Sequence, residues 1–418
     1  MLDVLKNRNF MMLWSAGLVS IIGNWVLLAA IPFYIFDLTG SAMATAGVFM
    51  AFLAPGIIFG SIAGVFVDRW DKLRTMLVVN LIQMVVVLLL IFVQSAEQSW
   101  ILFVVLFIES SIAQFFGPAE NALLPKLVAE DQLVAANSLN SMNDNLARLI
   151  GPAIGGVVLA LYGFSSVVVI DAASFGLAAL LIFFVMVSYQ RQSASEPVQT
   201  EPAKLVTLKA RMNEIVEEWQ AGLGIIRSKP ILSNTFVVIG IALFADAIIS
   251  AILVIFLQED LGMGSAEFGY IMTARGIGGL IGGIALGQIG ERINPRYVLS
   301  VSLLALSLAI FAAVNVTTLT ALIVIMVVGG IPAVTMFVAV QTIFHKNSPE
   351  EYLGRVFGLF QTVLMLLMFL GSAIAGIVGE SVPARQLMIG AVVIYLFAAV
   401  LGLWLMSERR MVAKTAVG

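Results

Sequence analysis

Twelve apolar stretches, each about 20 residues or longer, take up most of this sequence. They fall at residues 10–36, 43–67, 75–94, 100–119, 136–161 and 164–187, then at 231–257, 268–290, 296–314, 318–344, 355–379 and 384–406. Lipid offers no partner for backbone N–H and C=O groups, so a segment crossing a bilayer must be a helix or part of a closed barrel. Barrel strands need only about half this length. Soluble domains carry about 25% charged residues, whereas this chain is 61% hydrophobic and 11% charged. It cannot cover a water-facing surface. The expected fold is all-α and integral to the membrane, with twelve transmembrane helices.

The spans group as six, a long polar gap and six more. Residues 1–187 read as one six-helix bundle, 188–230 as a linker and 231–418 as a second bundle. The first part of the linker, QRQSASEPVQTEPAK, suits a flexible connection. The second part carries Met212, Ile215, Trp219, Leu223 and Ile226 at helical spacing, which predicts an amphipathic helix on the membrane surface. Lys and Arg mark the cytoplasmic side of a membrane protein. Lys6 and Arg8 precede the first span, Arg69, Lys72 and Arg74 follow the second, Lys126 follows the fourth, Arg227 and Lys229 lie in the gap, and Lys346 and Arg355 follow the tenth. On the opposite side only Arg385 appears. Both termini and the linker are therefore expected in the cytoplasm.

Several function classes drop out. There is no Cys, hence no disulfide and no thiolate metal site, and His345 is the single His. The first apolar stretch is too long for a signal-peptide core and is expected to stay as a span. No Lys follows a Gly, so the phosphate-binding G-K-[ST] is absent. So are H-E-x-x-H and G-x-S-x-G. No enzyme activity, catalytic residue, metal or cofactor is expected, and neither ATP nor nucleic acid is an expected partner.

Two motifs recur at nearly the same offset. Gly60-x-x-x-Gly64-x-x-x-Asp68-Arg69 returns as Gly283-x-x-x-Gly287-x-x-x-Glu291-Arg292. NLARLIGPAIGG, with Gly151, Pro152, Gly155 and Gly156, has its counterpart in LMFLGSAIAG, with Gly371, Ser372 and Gly376. Two copies in the same order describe a parallel duplication. Transporters built this way bind a small molecule near the membrane midplane. Small residues one turn apart let a second helix approach, so Gly60 and Gly64 are expected to form a packing face.

The segment GVFVDRWDKLR, with Gly64, Asp68, Arg69, Asp71, Lys72 and Arg74, resembles the loop motif between the second and third helices of the major facilitator superfamily. The usual form is G-x-x-x-D-R-x-G-R-R/K, and Asp71 stands where that form has Gly. This variant, with ALLPKLVAEDQLVAANSLNS and NLARLIGPAIGG, is similar to the macrolide-efflux branch, which includes exporters of antibiotics and of a siderophore. The resemblance covers essentially the whole chain. It implies the major facilitator fold of two pseudo-symmetric six-helix bundles in a bacterial inner membrane, for which a monomer suffices mechanically. It implies a cytoplasmic gate latch in which Asp68 meets the chain near Gly354 and Arg355, with Glu291 and Arg292 as the weaker counterpart. It implies an antiporter-like role for Gly151 and Pro152. The implied function is proton-coupled export of amphipathic drugs or related small molecules, with a dedicated exporter or symporter of a metabolite or siderophore as the alternative. Na+ stays open in place of H+. One departure stands out: many drug exporters carry an Arg in the fourth helix, and here that span carries Glu109 instead.

Charges at bilayer depth cost about 2.5–3.5 kcal/mol on insertion scales, so they face the bundle interior or a wet cavity. Glu109, Asp144, Arg148, Asp171, Asp246 and Arg275 are the candidates for proton coupling. Asp144 and Arg148 share a helix face. They form either a structural ion pair or a coupling site in which Arg148 exchanges between Asp144 and Glu109. Asp171 has two readings as well, an interhelical hydrogen bond or a proton site. Asp246 and Arg275 lie at matching depths and form either a static pair or a mobile gate. Asn24, Tyr34, Gln114, Gln341 and Gln361 are the polar candidates for a cavity lining, and the Met and aromatic residues around them serve equally as ordinary packing.

Overall fold

The computed structural model describes residues 3–193, 208–289 and 293–406. Among these, the chain forms helices and no strands. In order they are α1 (Arg8–Thr39), α2 (Ala42–Arg69), α3 (Lys72–Leu88), α4 (Ser99–Ala113), α5 (Phe116–Leu127), α6 (Leu133–Tyr162), α7 (Phe164–Ser193), α8 (Leu208–Ser228), α9 (Pro230–Ile255), α10 (Ser265–Ile289), α11 (Pro295–Val314), α12 (Leu319–Asn347), α13 (Leu353–Gly379) and α14 (Ala384–Leu405). Twelve segments among the described residues are long and apolar enough to cross a membrane, and they coincide with the twelve expected spans.

The fourth span is built from two helices. α4 and α5 meet at a turn over Gln114 and Phe115. Pro118 lies in the first turn of α5 and has no N–H to return to the carbonyl of Gln114, so the helical ladder is interrupted there. Gln114 turns its own Nε2 back onto the Ser110 carbonyl at 3.2 Å. Elsewhere the connections are tight. Gly40 ends α1 at φ +59°, where a side chain would be strained, and donates its N–H to Phe36.

The chain divides into two compact units. The first holds Met1–Gly40 and Ala51–Arg211; the second holds Ser41–Met50 and Met212–Gly418. Each repeats one pattern of neighbours. In the first unit α1 packs on α6 and α7, and α3 packs on α7. In the second α9 packs on α13 and α14, and α11 packs on α14. The first helix of each set of six thus meets the fifth and sixth, and the third meets the sixth.

The amphipathic stretch of the linker forms α8, and its described residues find protein. Gly222 and Ile226 are buried, and a Cβ on Gly222 would lie 3.3 Å from the Arg355 carbonyl at the start of α13. Trp219 stays 38% exposed. On the other side of the second unit, Arg385 is ion-paired with Asp260 at 3.3 Å.

Helix α2 begins in the second unit, and its start is capped by a residue of that unit. Glu380, just past α13, accepts from the Ser41 hydroxyl at 2.6 Å and from the Met43 N–H at 2.9 Å. The approach is close because α13 offers Gly376 and Gly379, where added Cβ atoms would lie 2.8 Å from the Ala46 Cβ and 2.9 Å from the Ala42 Cβ. The first N–H groups of a helix have no internal partner and favour a carboxylate. The Met43 N–H and the Ser41 hydroxyl hold the Glu380 carboxyl below the usual carboxylate range. A lowered value in the folded state means that this contribution is present above the unfolded glutamate value and is lost as pH falls through the folded one. Amide-exchange protection at Met43 should therefore hold from about pH 7 to about pH 5 and fall below about pH 4. Glu380→Gln should remove that pH dependence; an unchanged profile in the variant would exclude the cap.

Candidate functional site

The charged corner between α2 and α3 is a pair of helix caps. Asp71 has extended backbone and accepts from the Arg74 N–H at 2.8 Å, which makes it the N-cap of α3. This is why an Asp serves where the related motif has Gly. Lys72 turns back onto α2 and donates to the carbonyls of Val67, Asp68 and Trp70 at 2.7, 2.8 and 3.0 Å. Asp68, Arg69 and Arg74 are exposed. The glycines of the motif are loosely surrounded. A Cβ on Gly64 or Gly287 would meet nothing within 4 Å, while Gly60 and Gly283 have only ordinary contacts, to Gln114 at 3.6 Å and to Val334 at 3.7 Å. In the second unit the tight crossing is made by neighbours of Gly283: a Cβ on Gly278 would lie 1.9 Å from the Val327 carbonyl, and one on Gly282 would lie 2.7 Å from that of Ile331. Glu291 and Arg292 lie outside the described residues.

The second repeated motif is a packing seam. Gly151, Pro152, Gly155 and Gly156 are buried on α6. Added Cβ atoms would lie 2.3 Å from the Trp25 Cβ for Gly151 and 2.4 Å from the Val26 carbonyl for Gly155, so α6 rides directly on α1. Gly371 on α13 repeats this, with an added Cβ 2.9 Å from the Phe244 carbonyl on α9. The motif recurs because each bundle needs the same close crossing.

Within the first unit, α1, α4 and α7 bring polar groups together inside the bundle. Glu109 is 4% exposed and Asp171 is fully buried. The Asn24 side-chain amide reaches Glu109 Oε1 at 3.4 Å. Asp171 Oδ1 lies 3.4 Å from the Ser174 hydroxyl, which donates more closely to the Asp171 carbonyl at 2.8 Å. Asp171 Oδ2 is buried with no hydrogen-bond partner. Adjacent residues of α1 link the two carboxyls, Gly23 facing Asp171 and Asn24 touching Glu109. Gly23 makes the assembly possible, since a Cβ there would lie 2.7 Å from Asp171 Oδ1 and 2.1 Å from the Ser174 hydroxyl.

Asp144 and Arg148 are both exposed and share their face of α6. The guanidinium lies over the ring of Trp25, 5.2 Å from its centre, beside Asn24 in the chain. Asp144 is flanked by a second polar group that sequence reasoning did not assemble. Asn140 donates to Glu120 Oε1 at 3.2 Å, and Asn143 donates to the Trp14 carbonyl at 3.0 Å.

In the second unit Asp246 and Arg275 meet, with Asp246 Oδ1 and Arg275 Nη2 3.8 Å apart. Tyr395 on α14 joins them by donating its hydroxyl to Asp246 Oδ1 at 3.0 Å. Nothing in the apolar run around Tyr395 announced this. Among the cavity candidates, Tyr34 is engaged in structure: its hydroxyl donates to the Val93 carbonyl and its ring stacks on Phe164. Gln341 and Gln361 are exposed.

A family model described as transmembrane secretion effector matches residues 2–415. The chain belongs to this family of major facilitator superfamily transporters. It is 27% identical over 383 residues to an uncharacterized MFS-type transporter, YfiS, of Bacillus subtilis, covering 90% of this chain and 88% of that one. It is 25% identical over 384 residues to macrolide efflux protein A of Streptococcus pyogenes, covering 90% and 91%. Among solved structures it is similar to the nucleoside transporter NupG, with TM-score 0.74 and 13% identity over 96% of this chain and all of that one. A bacterial homologue of the iron transporter ferroportin aligns with TM-score 0.70 and 15% identity over 96% and 99%. This superfamily member is thus a multi-pass membrane transporter with efflux proteins among its relatives.

The seam and the motif predict opposite outcomes for glycine substitutions. Gly155→Leu should destabilise the protein by about 1–3 kcal/mol or more through overpacking. Gly64→Ala, which fills open space within a helix, should leave stability unchanged or slightly raised. Thermal unfolding of the purified variants checks both.

Proposed function

We propose that this transporter is a proton-coupled exporter of small amphipathic molecules in a bacterial inner membrane, with both termini and α8 on the cytoplasmic side. Residues 1–187 and 231–418 serve as the two moving bundles, and Asp68 serves as the latch residue of the cytoplasmic gate. The observation that carries the reading is the Glu109–Asp171 pair. Two carboxyls buried in one bundle interior are costly to ionise without a counter-ion. A proton supplies the missing charge, and the unpartnered Asp171 Oδ2 is a place to hold it.

The pair is also mechanically placed. Asn24, which touches Glu109, precedes Trp25, and Arg148 stacks on Trp25. A shift of α1 against α4 or α7 changes the partners of both carboxyls at once. Proton binding and helix position then become linked, which is what coupling requires. Relatedness to a macrolide efflux protein supports the outward direction and the amphipathic substrate. A second reading, Na+ in place of H+, is supported by the oxygen-rich surroundings of the pair, because hard cations prefer oxygen donors.

An efflux-deficient bacterium expressing the chain should accumulate less of a cationic dye and of a macrolide, and a protonophore should abolish the difference. Glu109→Gln and Asp171→Asn should each reduce efflux about tenfold or more at equal membrane abundance, as expected for loss of a coupling group worth at least about 1.4 kcal/mol. Asp68→Asn should impair efflux with expression intact. Efflux that survives both carboxyl substitutions would overturn the assignment of the pair. Efflux that ignores the protonophore and requires Na+ would select the second reading.

A further inference from the structure

The Asp246–Arg275–Tyr395 group has no part in the proton pair, and its geometry is unusual for a structural ion pair. Arg275 lies near the middle of α10, and its guanidinium carries five N–H donors. Among the described residues, its one charged contact is Nη2 to Asp246 at 3.8 Å, beyond hydrogen-bond distance. Its side chain is 37% exposed. An arginine at bilayer depth does not present free donors to lipid; it faces protein or a wet cavity. Asp246, in contrast, already has a proper donor in the Tyr395 hydroxyl at 3.0 Å, and Tyr395 is fully buried. The carboxylate is held by the tyrosine, and the guanidinium is left close by with its donors unused.

The backbone under Arg275 is fixed. A Cβ on Gly330 would lie 2.0 Å from the Arg275 carbonyl, so α12 presses directly against this turn of α10. A planar fork on a rigid helix, with spare parallel N–H groups, matches the two oxygens of a carboxylate.

We propose that Arg275 binds the carboxylate of an apolar, monoanionic substrate, with Asp246 as its exchangeable counter-ion and Tyr395 as the positioning residue. When the substrate arrives, the guanidinium turns from Asp246 to the incoming carboxylate, and Asp246 keeps its bond to the tyrosine. With Asp246 already present, a monoanion adds one negative charge to the site, whereas a phosphate dianion adds two. The carboxylate is therefore the preferred oxyanion. This inference rests on the transporter reading and adds apolar monocarboxylates to its substrate range beside the cationic amphiphiles; it is independent of the coupling ion and of the direction of transport.

The test uses the purified full chain in lipid nanodiscs and a panel of N-benzoyl amino acids, each paired with its neutral amide, with phenyl phosphate as the dianionic control. Binding is read from ligand-induced thermal stabilisation. The acids should bind more tightly than their amides, and Arg275→Gln should weaken acid binding about 10- to 100-fold, as expected for a charge-assisted pair, while leaving the amides unchanged. Tyr395→Phe should weaken acid binding a few-fold and leave the thermal midpoint of the ligand-free protein within a few degrees, because Asp246 then competes for the guanidinium. The chain has no Cys, so Arg275→Cys creates a unique thiol. It should react with a charged, water-soluble thiosulfonate, as expected for a position that faces water. Equal affinity for acid and amide, an acid preference that survives Arg275→Gln, tighter binding of phenyl phosphate, no binding of any acid, or a thiol closed to the aqueous reagent would each overturn the proposal. Dye efflux is measured on the same wild-type chain: loss of its protonophore sensitivity sinks the proton-coupled reading while leaving the acid-binding result standing.

Discussion

Everything in this molecule follows from the lack of water along most of its length. A backbone that cannot bond to solvent bonds to itself, which makes helices of every long apolar stretch. The same lack of water removes the hydrophobic drive between helices, since lipid is as apolar as leucine. Association then rests on close contact, and close contact needs small residues. The seams at Gly151 and Gly155 on α1, at Gly371 on α9, and at Gly278, Gly282 and Gly330 between α10 and α12 are where these bundles are pinned.

Those seams also set the chemistry. Charged groups inside a bundle are tolerated only where a neighbour can answer them, and the seams decide which neighbours come near. Gly23 lets α1 and α7 close over Asp171 and Ser174, and the adjacent Asn24 reaches Glu109. On α10 and α12 a comparable crossing fixes the backbone at Arg275, whose guanidinium lies near Asp246 on α9. The first unit thus collects carboxyls beside amide and hydroxyl groups, while the second collects an acid–base pair joined by a tyrosine. Duplicated bundles with one packing plan have acquired different polar interiors.

The charged corner after α2 shows how one short sequence serves several needs. Lys72 closes the carbonyl end of α2, and Asp71 opens α3. These are local capping interactions, which explains why Asp71 can stand where related sequences use a tight-turn glycine. Asp68, Arg69 and Arg74 are exposed at this corner.

Much of the fold was legible in the sequence because span length and hydrophobicity are local properties. The spans, the polar gap, the amphipathic α8 and the repeated motifs needed no knowledge of tertiary contacts. The break after Gln114 was implicit in Pro118, although the continuous apolar run concealed it. The intramembrane ionisable residues were visible for the same reason: a charge in an apolar run stands out. What lay beyond the sequence was partnership, because partners come from helices distant in the chain. Tyr395 joining Asp246, Ser174 beside Asp171, Asn140 on Glu120 and Glu380 capping α2 depend on helix rotation and crossing. Even the glycines divided this way. Their spacing was in the sequence, but only the packed bundles showed that Gly155 is filled by a neighbouring backbone while Gly64 faces open space, since a missing Cβ acquires meaning only when a second helix occupies its place.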